Sequence, residues 1–249
     1  CIDEACRNIV GVGARPHAFT DCLNFGNPEK PERLGEFREA VRGLGEICSK
    51  LKLPIPSGNV SLYNEAPGGK FILPTPMILG TGLIDDVRNS VSADFKSEGS
   101  RIYLVGKTKD EMAGSLLFRK FGGEQGDVPA VDVDNLIALM DKMLDAMGKK
   151  LVKACHDCSD GGLAVSVAEM CISGDIGASV DLSGMGDLQT ERKLYSESNT
   201  RWVAEVSEEN SAAFESIMGS DAVCIGKTGG YSFEIPEAGI SLSVSEIRS

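Results

Sequence analysis

Two short polar stretches carry the residue types that a site for phosphate and magnesium requires. TDCLNFGNPEKPE begins at Thr20 and SGNVSLYNE begins at Ser57, and each adjoins a short apolar run. Asp, Asn, Gly and Ser tolerate tight backbone turns and leave short polar side chains and N–H groups free. Carboxylate and amide oxygens bind Mg²⁺, and free backbone N–H groups bind phosphate. Ordinary polar loops have the same composition, so both interpretations stand at this point.

Six residues of these stretches form the first candidate constellation: Asp21, Asn24, Asn27, Gly58, Asn59 and Ser61. A site for metal and triphosphate needs oxygen ligands, at least one carboxylate, and backbone N–H groups near the phosphate. Asp21 and the Asn59 amide oxygen are candidate ligands for Mg²⁺ or nucleotide. Gly58 allows close approach to the backbone, and Ser61 can hydrogen-bond a phosphate or ribose.

A second constellation lies in CHDCSDGGLAVSVAEM, which begins at Cys155. Its Gly-Gly pair opens an apolar helix, and a free helix N-terminus preceded by glycines is an anion site beside which Asp157 can hold a metal. Cys155, His156 and Cys158 also resemble a short zinc or redox motif, although zinc needs further ligands and His17 is the only other histidine. The plain alternative is a well-capped structural helix.

A third constellation, YSESNTRW, ends at Trp202 just before an apolar strand. Glu197 and Arg201 either contact a substrate or pair with each other at the surface. We assign the tryptophan to packing.

The elements that must position these residues follow from apolar spacing. The two polar stretches flank a helix over residues 34–51, whose apolar positions recur every three or four residues and predict one buried stripe. Gly43 and Gly45 inside this helix each cost roughly 1 kcal/mol relative to Ala, so we expect them to admit a neighbouring element closely. Strands are predicted over residues 15–22 and 55–62, the second interrupted by a turn at Ser57-Gly58-Asn59.

The remaining elements predict a mixed architecture of helices and strands. Further helices are expected over residues 3–12, 112–121, 132–147, 163–172 and 208–218. Further strands are expected over residues 71–73, 77–84, 102–105, 178–182, 201–206, 222–226 and 232–235, with a hairpin tip at 66–70. The polar, Ser-rich run of residues 85–100 is the best linker. The chain therefore divides into two α/β or α+β domains near residues 96–100.

Composition excludes several classes of function. The net charge is −12 over 249 residues, which repels nucleic acid and anionic membranes, so Mg²⁺ and backbone N–H groups must neutralise any bound phosphate. No apolar run approaches the roughly 20 residues of a membrane span, and no secretory signal is visible. Eight scattered cysteines predict reduced thiols and a cytoplasmic location. A start at Cys1 without Met suggests a fragment.

Taken together, LNFGNPE, SGNVSLYNE, HDCSDGG and SES resemble the phosphoribosylformylglycinamidine synthase family of purine biosynthesis over essentially the whole chain. The first two motifs are specific to that family. HDxSDGG and SES are shared with the wider superfamily of aminoimidazole ribonucleotide synthetase. The resemblance implies that the chain is the C-terminal half of the enzyme. Residues 1–97 are then part of a β-rich third domain of the N-terminal synthetase type, and residues 98–249 are an α/β fourth domain of the C-terminal type.

The resemblance also implies roles for individual residues. Asp21 and Gly58 correspond to ATP contacts, Asn59 to a Mg²⁺ ligand and Ser61 to a substrate contact. Asp157, Glu197 and Ser198 correspond to a pseudo-symmetric auxiliary site that holds a structural nucleotide in some members. The family's catalytic histidine lies in the other half, so we expect no general base here. Cys155 and Cys158 depart from the family pattern of small apolar residues, which favours plain packing for both thiols.

The implied reaction is the ATP-dependent replacement of an amide oxygen by the nitrogen of ammonia. ATP phosphorylates formylglycinamide ribonucleotide, and ammonia displaces phosphate to give the amidine. The implied partners are the N-terminal half of the enzyme, a glutaminase subunit that supplies ammonia and a small accessory subunit. The alternatives are another ATP-dependent synthetase of the superfamily, against which LNFGNPE argues, and a catalytically silent domain pair that only binds nucleotide or holds a complex together.

Overall fold

The computed structural model describes residues 1–123 and 126–249, and this part of the chain forms eight α-helices and ten β-strands. The helices are α1 Ile2–Gly11, α2 Pro31–Leu51, α3 Leu116–Phe121, α4 Val133–Gly148, α5 Gly162–Gly174, α6 Thr190–Tyr195, α7 Ser211–Met218 and α8 Val244–Arg248. The strands are β1 Arg15–Asn24, β2 Ser57–Ser61, β3 Thr75–Leu83, β4 Arg101–Val105, β5 Val152–Asp157, β6 Ala178–Val180, β7 Trp202–Val206, β8 Ala222–Thr228, β9 Ser232–Ile235 and β10 Ile240–Ser243. None of the helices in the described residues has the length and apolar composition needed to cross a membrane.

The first sheet has three strands in the order β2-β1-β3. β1 runs parallel to β2 and antiparallel to β3. Helix α1 covers one face, where the side chain of Ile9 lies directly over Gly80 and Gly82 of β3. A Cβ built on either glycine would lie 2.6 Å or 2.3 Å from Ile9, so these two positions need glycine for the helix to approach the sheet.

The second sheet has seven strands in the order β10-β9-β6-β8-β4-β7-β5, and all neighbouring pairs except β6 with β9 are antiparallel. One apolar core lies between one of its faces and helices α1, α4 and α7, with Trp202 and Met143 fully buried. A second core covers the other face with α5, where Leu163 and Met170 are buried. The antiparallel pattern supports an α+β description of this part.

Helix α2 corrects one sequence prediction. Its apolar stripe is buried only toward its C-terminal end at Cys48, whereas Leu34 and Val41 are 49% and 43% exposed. A Cβ on Gly43 or Gly45 would meet nothing within 4 Å, so the predicted close approach at these glycines is wrong. Periodicity shows that a helix has an apolar face, but the neighbouring elements decide how much of that face is covered.

Three element boundaries also differ from prediction. α3 begins at Leu116 rather than at residue 112, because the Ser115 side chain caps it by accepting from Phe118 N. Residues 71–73 form no strand beyond a single bridge of Phe71 to Glu65, which closes the predicted hairpin tip. β2 runs through the predicted turn at residues 57–59 without interruption. Sequence periodicity also missed β5, α6, β10 and α8.

The polar run of residues 85–100 packs onto the second sheet. Phe95 is buried in the core of the α5 side. The carboxylate of Glu205 on β7 is fully buried and accepts hydrogen bonds from the backbone N–H groups of Lys96 and Ser97 at 2.7 Å and 3.2 Å. This segment is therefore held by specific hydrogen bonds along its second half.

Candidate functional site

The pairing of β1 with β2 brings the two polar stretches together. The parallel register places Asp21 opposite Gly58 and Cys22 opposite Asn59. A Cβ built on Gly58 would lie 1.6 Å from Asp21 Oδ1. Gly58 is therefore needed because the Asp21 carboxylate occupies the space above its Cα. The sequence suggested a close approach at this glycine but did not reveal that an aspartate of the same chain makes it.

The candidate ligands divide between the two faces of the three-stranded sheet. Side chains of paired residues project to the same face, and successive residues alternate. Asp21 therefore projects with Phe19 and Leu23 to the face that the helices cover. Asn59 and Ser61 project to the opposite face, where the Asn59 amide lies 3.9 Å from the Cys22 thiol. A single ligand can contact Asp21 and Asn59 together only by passing the edge formed by β2.

The loops that follow β1 and β2 interlock. Asn64 Nδ2 donates to the carbonyl oxygens of Phe25 at 3.0 Å and Ser61 at 2.9 Å. The Glu65 carboxylate accepts from Asn27 N at 3.0 Å and pairs with Lys30 Nζ at 2.6 Å. These bonds fix the end of β2 against the LNFGNP turn. Local sequence signals did not single out Asn64 and Glu65 as the residues that join the two stretches, although both lie inside the second one.

Some candidate residues are already hydrogen-bonded within the chain, whereas others are available to a ligand. Asn24 Nδ2 donates to Cys22 O and Thr75 O, and Asn27 Oδ1 accepts from Glu29 N, so both amides stabilise their own loops. The Ser61 hydroxyl bonds to Asn64. Among the described residues, no donor lies within hydrogen-bonding distance of the Asp21 carboxylate. These two strands therefore leave the Asp21 oxygens available to a ligand.

Large apolar side chains are exposed on the same face as Asn59. Met77, Leu79 and Leu83 of β3 alternate along this face and are 58%, 65% and 60% exposed. Scattered exposed apolar residues are normal on protein surfaces, but several on one face of a strand favour an interaction surface. The outer face of the first sheet therefore joins a polar edge at β2 to an apolar edge at β3.

Asp157, the first residue predicted for the auxiliary site, is buried and fully engaged. Its carboxylate accepts from Arg7 Nη1 at 3.2 Å, from the Ser159 hydroxyl at short range, and from His156 Nδ1 at 3.2 Å. Burial raises the pKa of Asp157, but the hydrogen bonds from His156 and Ser159 and the charge of Arg7 outweigh it and lower the pKa below 3.8. Asp157 is thus an ionised carboxylate held by groups of its own chain.

Glu197 and Ser198, the other two residues predicted for the auxiliary site, also bond within the chain. Glu197 Oε1 accepts from Gly161 N at 2.9 Å and Leu116 N at 2.7 Å, so it caps the start of α5 and of α3. Ser198 is fully buried and accepts from Lys109 N. Arg201 is also fully buried, with its guanidinium on the carbonyl oxygens of residues 196 and 198, so the predicted surface pair with Glu197 is wrong.

The two thiols of the CHDC stretch lie in different cores. Cys155 packs with the core on the α4 side of the second sheet and Cys158 with the core on the α5 side. Burial raises the pKa of the Cys155 thiol well above the ordinary value of 9.0, and it also raises the pKa of the Cys158 thiol. A thiol that stays protonated is a poor nucleophile and a poor metal ligand. No cluster of three or more His, Cys, Asp or Glu side chains suited to a metal occurs within the described residues.

Two known domain families match the two parts of the chain. Residues 1–84 match the family described as AIR synthase related protein, N-terminal domain, and residues 97–232 match its C-terminal domain. The chain belongs to the AIR synthase related family. Membership confirms the predicted fold class, a mixed α/β (α+β) chain with a domain of the N-terminal type followed by one of the C-terminal type.

Several curated relatives of the chain carry the same name. The chain is 41% identical over 228 residues to phosphoribosylformylglycinamidine synthase subunit PurL of Methanothrix thermoacetophila, covering 88% of the chain and 29% of the relative. It is 39% identical over 251 residues to the PurL subunit of Thermoplasma acidophilum, covering 98% and 32%. These matches confirm the predicted resemblance. The chain spans about a third of the length of the relatives it matches.

Solved structures of the family share the fold. Thermotoga maritima PurL complexed with ATP matches with a TM-score of 0.77 and 18% identity, over 99% of this chain and 40% of that one. The same protein complexed with FGAR matches with a TM-score of 0.76 and 15% identity, covering 99% and 42%. The PurLQS structure of T. maritima matches with a TM-score of 0.74 and 17% identity, covering 97% and 39%. At these identities the likeness shows the fold alone.

Proposed function

We propose that this chain is the C-terminal part of a phosphoribosylformylglycinamidine synthase and supplies one wall of its Mg-ATP pocket. The observation that supports this most is the position of the Asp21 carboxylate over Gly58, with Asn59 at the next register position. This arrangement leaves a carboxylate and an amide on the two faces of the edge strand β2. The sequence similarity to PurL subunits supplies the reaction.

The proposed reaction converts formylglycinamide ribonucleotide (FGAR), ATP and ammonia to formylglycinamidine ribonucleotide (FGAM), ADP and phosphate. The formamide oxygen attacks the γ-phosphorus of ATP, and ammonia then adds to the activated carbon and phosphate leaves with that oxygen. Such a reaction depends on positioning and on neutralisation of phosphate charge. An acidic chain with net charge −12 needs a cation for that neutralisation.

We assign the ATP contacts to Asp21 and Gly58, a Mg²⁺ ligand to Asn59 and a substrate contact to Ser61. The oxygen donors of these residues suit Mg²⁺, which takes one or two protein oxygens together with substrate phosphates and water. When bound, Mg²⁺ would neutralise the phosphates. Asn59 would hold the ion on the outer face, while Asp21 would orient the nucleotide from the edge of β2.

The exposed row of Met77, Leu79 and Leu83 supports a second part of this proposal. We infer that the rest of the longer protein, which includes its N-terminal half, packs on this face and completes the pocket beside Asn59. The division of the chain into residues 1–97 and 98–249 belongs to the same proposal. The further partners are a glutaminase subunit, which would supply ammonia, and a small accessory subunit. We assign the complex to the cytoplasm, and we do not assign a catalytic residue to this chain.

The test joins this chain to the remaining two thirds of the T. acidophilum PurL subunit and measures FGAM formation from FGAR, ATP and ammonium salt. We expect activity from the joined protein and none from the 249-residue chain alone. In the joined protein, Asp21→Asn and Asn59→Ala should each lower kcat/KM by roughly a hundredfold or more, since they remove the proposed contacts to the nucleotide and to Mg²⁺.

Matched variants separate a role in the site from a role in folding. Asp85→Asn and Asn135→Ala make the same chemical changes at exposed positions and should leave activity within about twofold of wild type. The melting temperature should be unchanged in all four variants. If Asp21→Asn and Asn59→Ala lost activity only in proportion to lost stability, or if the chain alone formed FGAM, the proposed function would be wrong.

A further inference from the structure

The side chain of Arg7 on α1 lies against residues 157–159, which begin at the last residue of β5 and are called the Asp157 loop below. Its Nη1 donates to Cys158 O at 2.7 Å, to Ser159 Oγ at 2.9 Å and to Asp157 Oδ2 at 3.2 Å. A carboxylate, a carbonyl oxygen and a hydroxyl converging on one point are the ligand types that a hard divalent cation uses. In this chain the point at which they converge holds a nitrogen of a guanidinium.

Neighbouring groups hold the Arg7 side chain in this position. Arg7 is 3% exposed, and its Nε donates to the buried carboxylate of Asp3 at 3.2 Å. Asp3 in turn accepts from the backbone N–H of Thr200 at 2.9 Å, and Trp202 Nε1 donates to Arg7 O at 3.0 Å. The guanidinium is therefore fixed between two carboxylates on two different elements. A guanidinium combines a positive charge with a rigid, planar set of N–H donors.

We propose that Arg7 is a built-in cation that takes the place of a metal ion in the Asp157 loop. The loop is then closed without any ion from solution, and the wild-type chain binds neither a divalent cation nor magnesium phosphate there. The N-terminus of α5 is also occupied by a group of the chain, because Glu197 Oε1 accepts a hydrogen bond from Gly161 N. The inference does not depend on the proposed function, and it replaces the predicted auxiliary site with an internal ion pair.

Removal of the guanidinium leaves the acidic groups around position 7 without their cation. Arg7→Gln leaves two buried carboxylates, Asp3 and Asp157, facing a space lined by Cys158 O and Ser159 Oγ. The three oxygens lie 2.7–3.2 Å from Arg7 Nη1. Metal–oxygen bonds of Ca²⁺ are about 2.3–2.6 Å, so each oxygen needs to move by less than about 1 Å. The variant should therefore gain a site for Ca²⁺ or Mn²⁺ that the wild type lacks.

The test measures thermal unfolding of the chain in EDTA and in CaCl₂ or MnCl₂, and counts bound Mn²⁺ by electron paramagnetic resonance. We expect Arg7→Gln to melt at a lower temperature than wild type in EDTA. Divalent cation should raise its melting temperature by about 3 °C or more, while leaving wild type unchanged. Asp157→Asn in the Arg7→Gln background should abolish both the thermal shift and the bound Mn²⁺.

Two further variants test whether the gained site is specific to position 7. Arg15→Gln removes the arginine of an exposed pair with Asp141, and it should gain no divalent cation site. If Arg7→Gln does not fold, Arg7→Gln combined with Asp3→Asn preserves the net charge, and it should show the same Asp157-dependent stabilisation. A wild-type chain that binds Mn²⁺ through Asp157, or an Arg7 variant that gains no cation stabilisation, would overturn the proposal.

Discussion

The carboxylate of Asp21 lies over the Cα of Gly58 on the neighbouring parallel strand, and a Cβ at position 58 would come within 1.6 Å of it. The two residues are coupled: the glycine makes room for the carboxylate, and the carboxylate makes any larger residue at position 58 costly. The coupling holds the acidic group at the sheet edge without any hydrogen bond from the described part of the chain.

Gly58→Ala should therefore lower the free energy of unfolding by about 1–3 kcal/mol, the usual cost of overpacking. The added methyl group must displace the Asp21 side chain or separate β1 from β2. In an Asp21→Ala background the same substitution should cost at least about 1 kcal/mol less. Urea unfolding of the four proteins of this double-mutant cycle measures the difference, and strictly additive effects would contradict the coupling.

Gly43→Ala should have the opposite effect. Gly43 lies inside α2, and a Cβ there meets nothing within 4 Å. The alanine should raise the free energy of unfolding by roughly 0.5–1 kcal/mol through its better helix propensity. Gly80→Ala is the matched control and should destabilise the protein, because its Cβ would lie 2.6 Å from the Ile9 side chain. Loss of stability in Gly43→Ala would mean that another element covers this part of α2.

The cysteines should react with a thiol reagent such as DTNB in two separate groups. Cys1 and Cys224 are exposed and Cys22 is half-buried, so these three should react in the folded protein. Burial raises the pKa of Cys6 and of Cys171 to about 12. Cys6, Cys48, Cys155, Cys158 and Cys171 should react only after the protein unfolds. Fast reaction of all eight thiols under native conditions would contradict the buried packing.

Protonation of His156 should contribute to stability in mildly acidic solution. Its hydrogen bond to Asp157, opposed by burial and supported by the charge of Glu169, raises its pKa above the ordinary value of 6.5. A raised pKa stabilises the folded state below pH 6.5, and this stabilisation disappears as pH rises through the folded-state pKa. The stability difference between wild type and His156→Gln should therefore shrink from about pH 5.5 to about pH 8.5, as measured by urea unfolding.

Glu169→Gln offers a control for the His156 prediction. Its carboxylate lies 3.1 Å from His156 Nε2 and is about half exposed. Removing it should lower the pKa of His156 only slightly, because exposed pairs are weak. A stability difference that grows with pH in His156→Gln would show that the histidine acts in its neutral form.

The amino-acid sequence by itself determined the positions of the polar stretches, the helix between them and the start of α5. These features depend on apolar periodicity and on turn-forming residues, which act within a few positions along the chain. The same local signals grouped Asp21, Gly58 and Asn59 in one candidate constellation.

Only the tertiary structure decided which face each side chain takes and which groups are already engaged. Strand register places Asp21 and Asn59 on opposite faces, and a shift of β2 by one residue would bring Asn59 to the same face as Asp21. The contact of Arg7 with Asp157 joins residues 150 positions apart. The packing of α1 between two sheets creates it. Local sequence signals carry no information about such a contact, because its energy arises only when distant elements pack together.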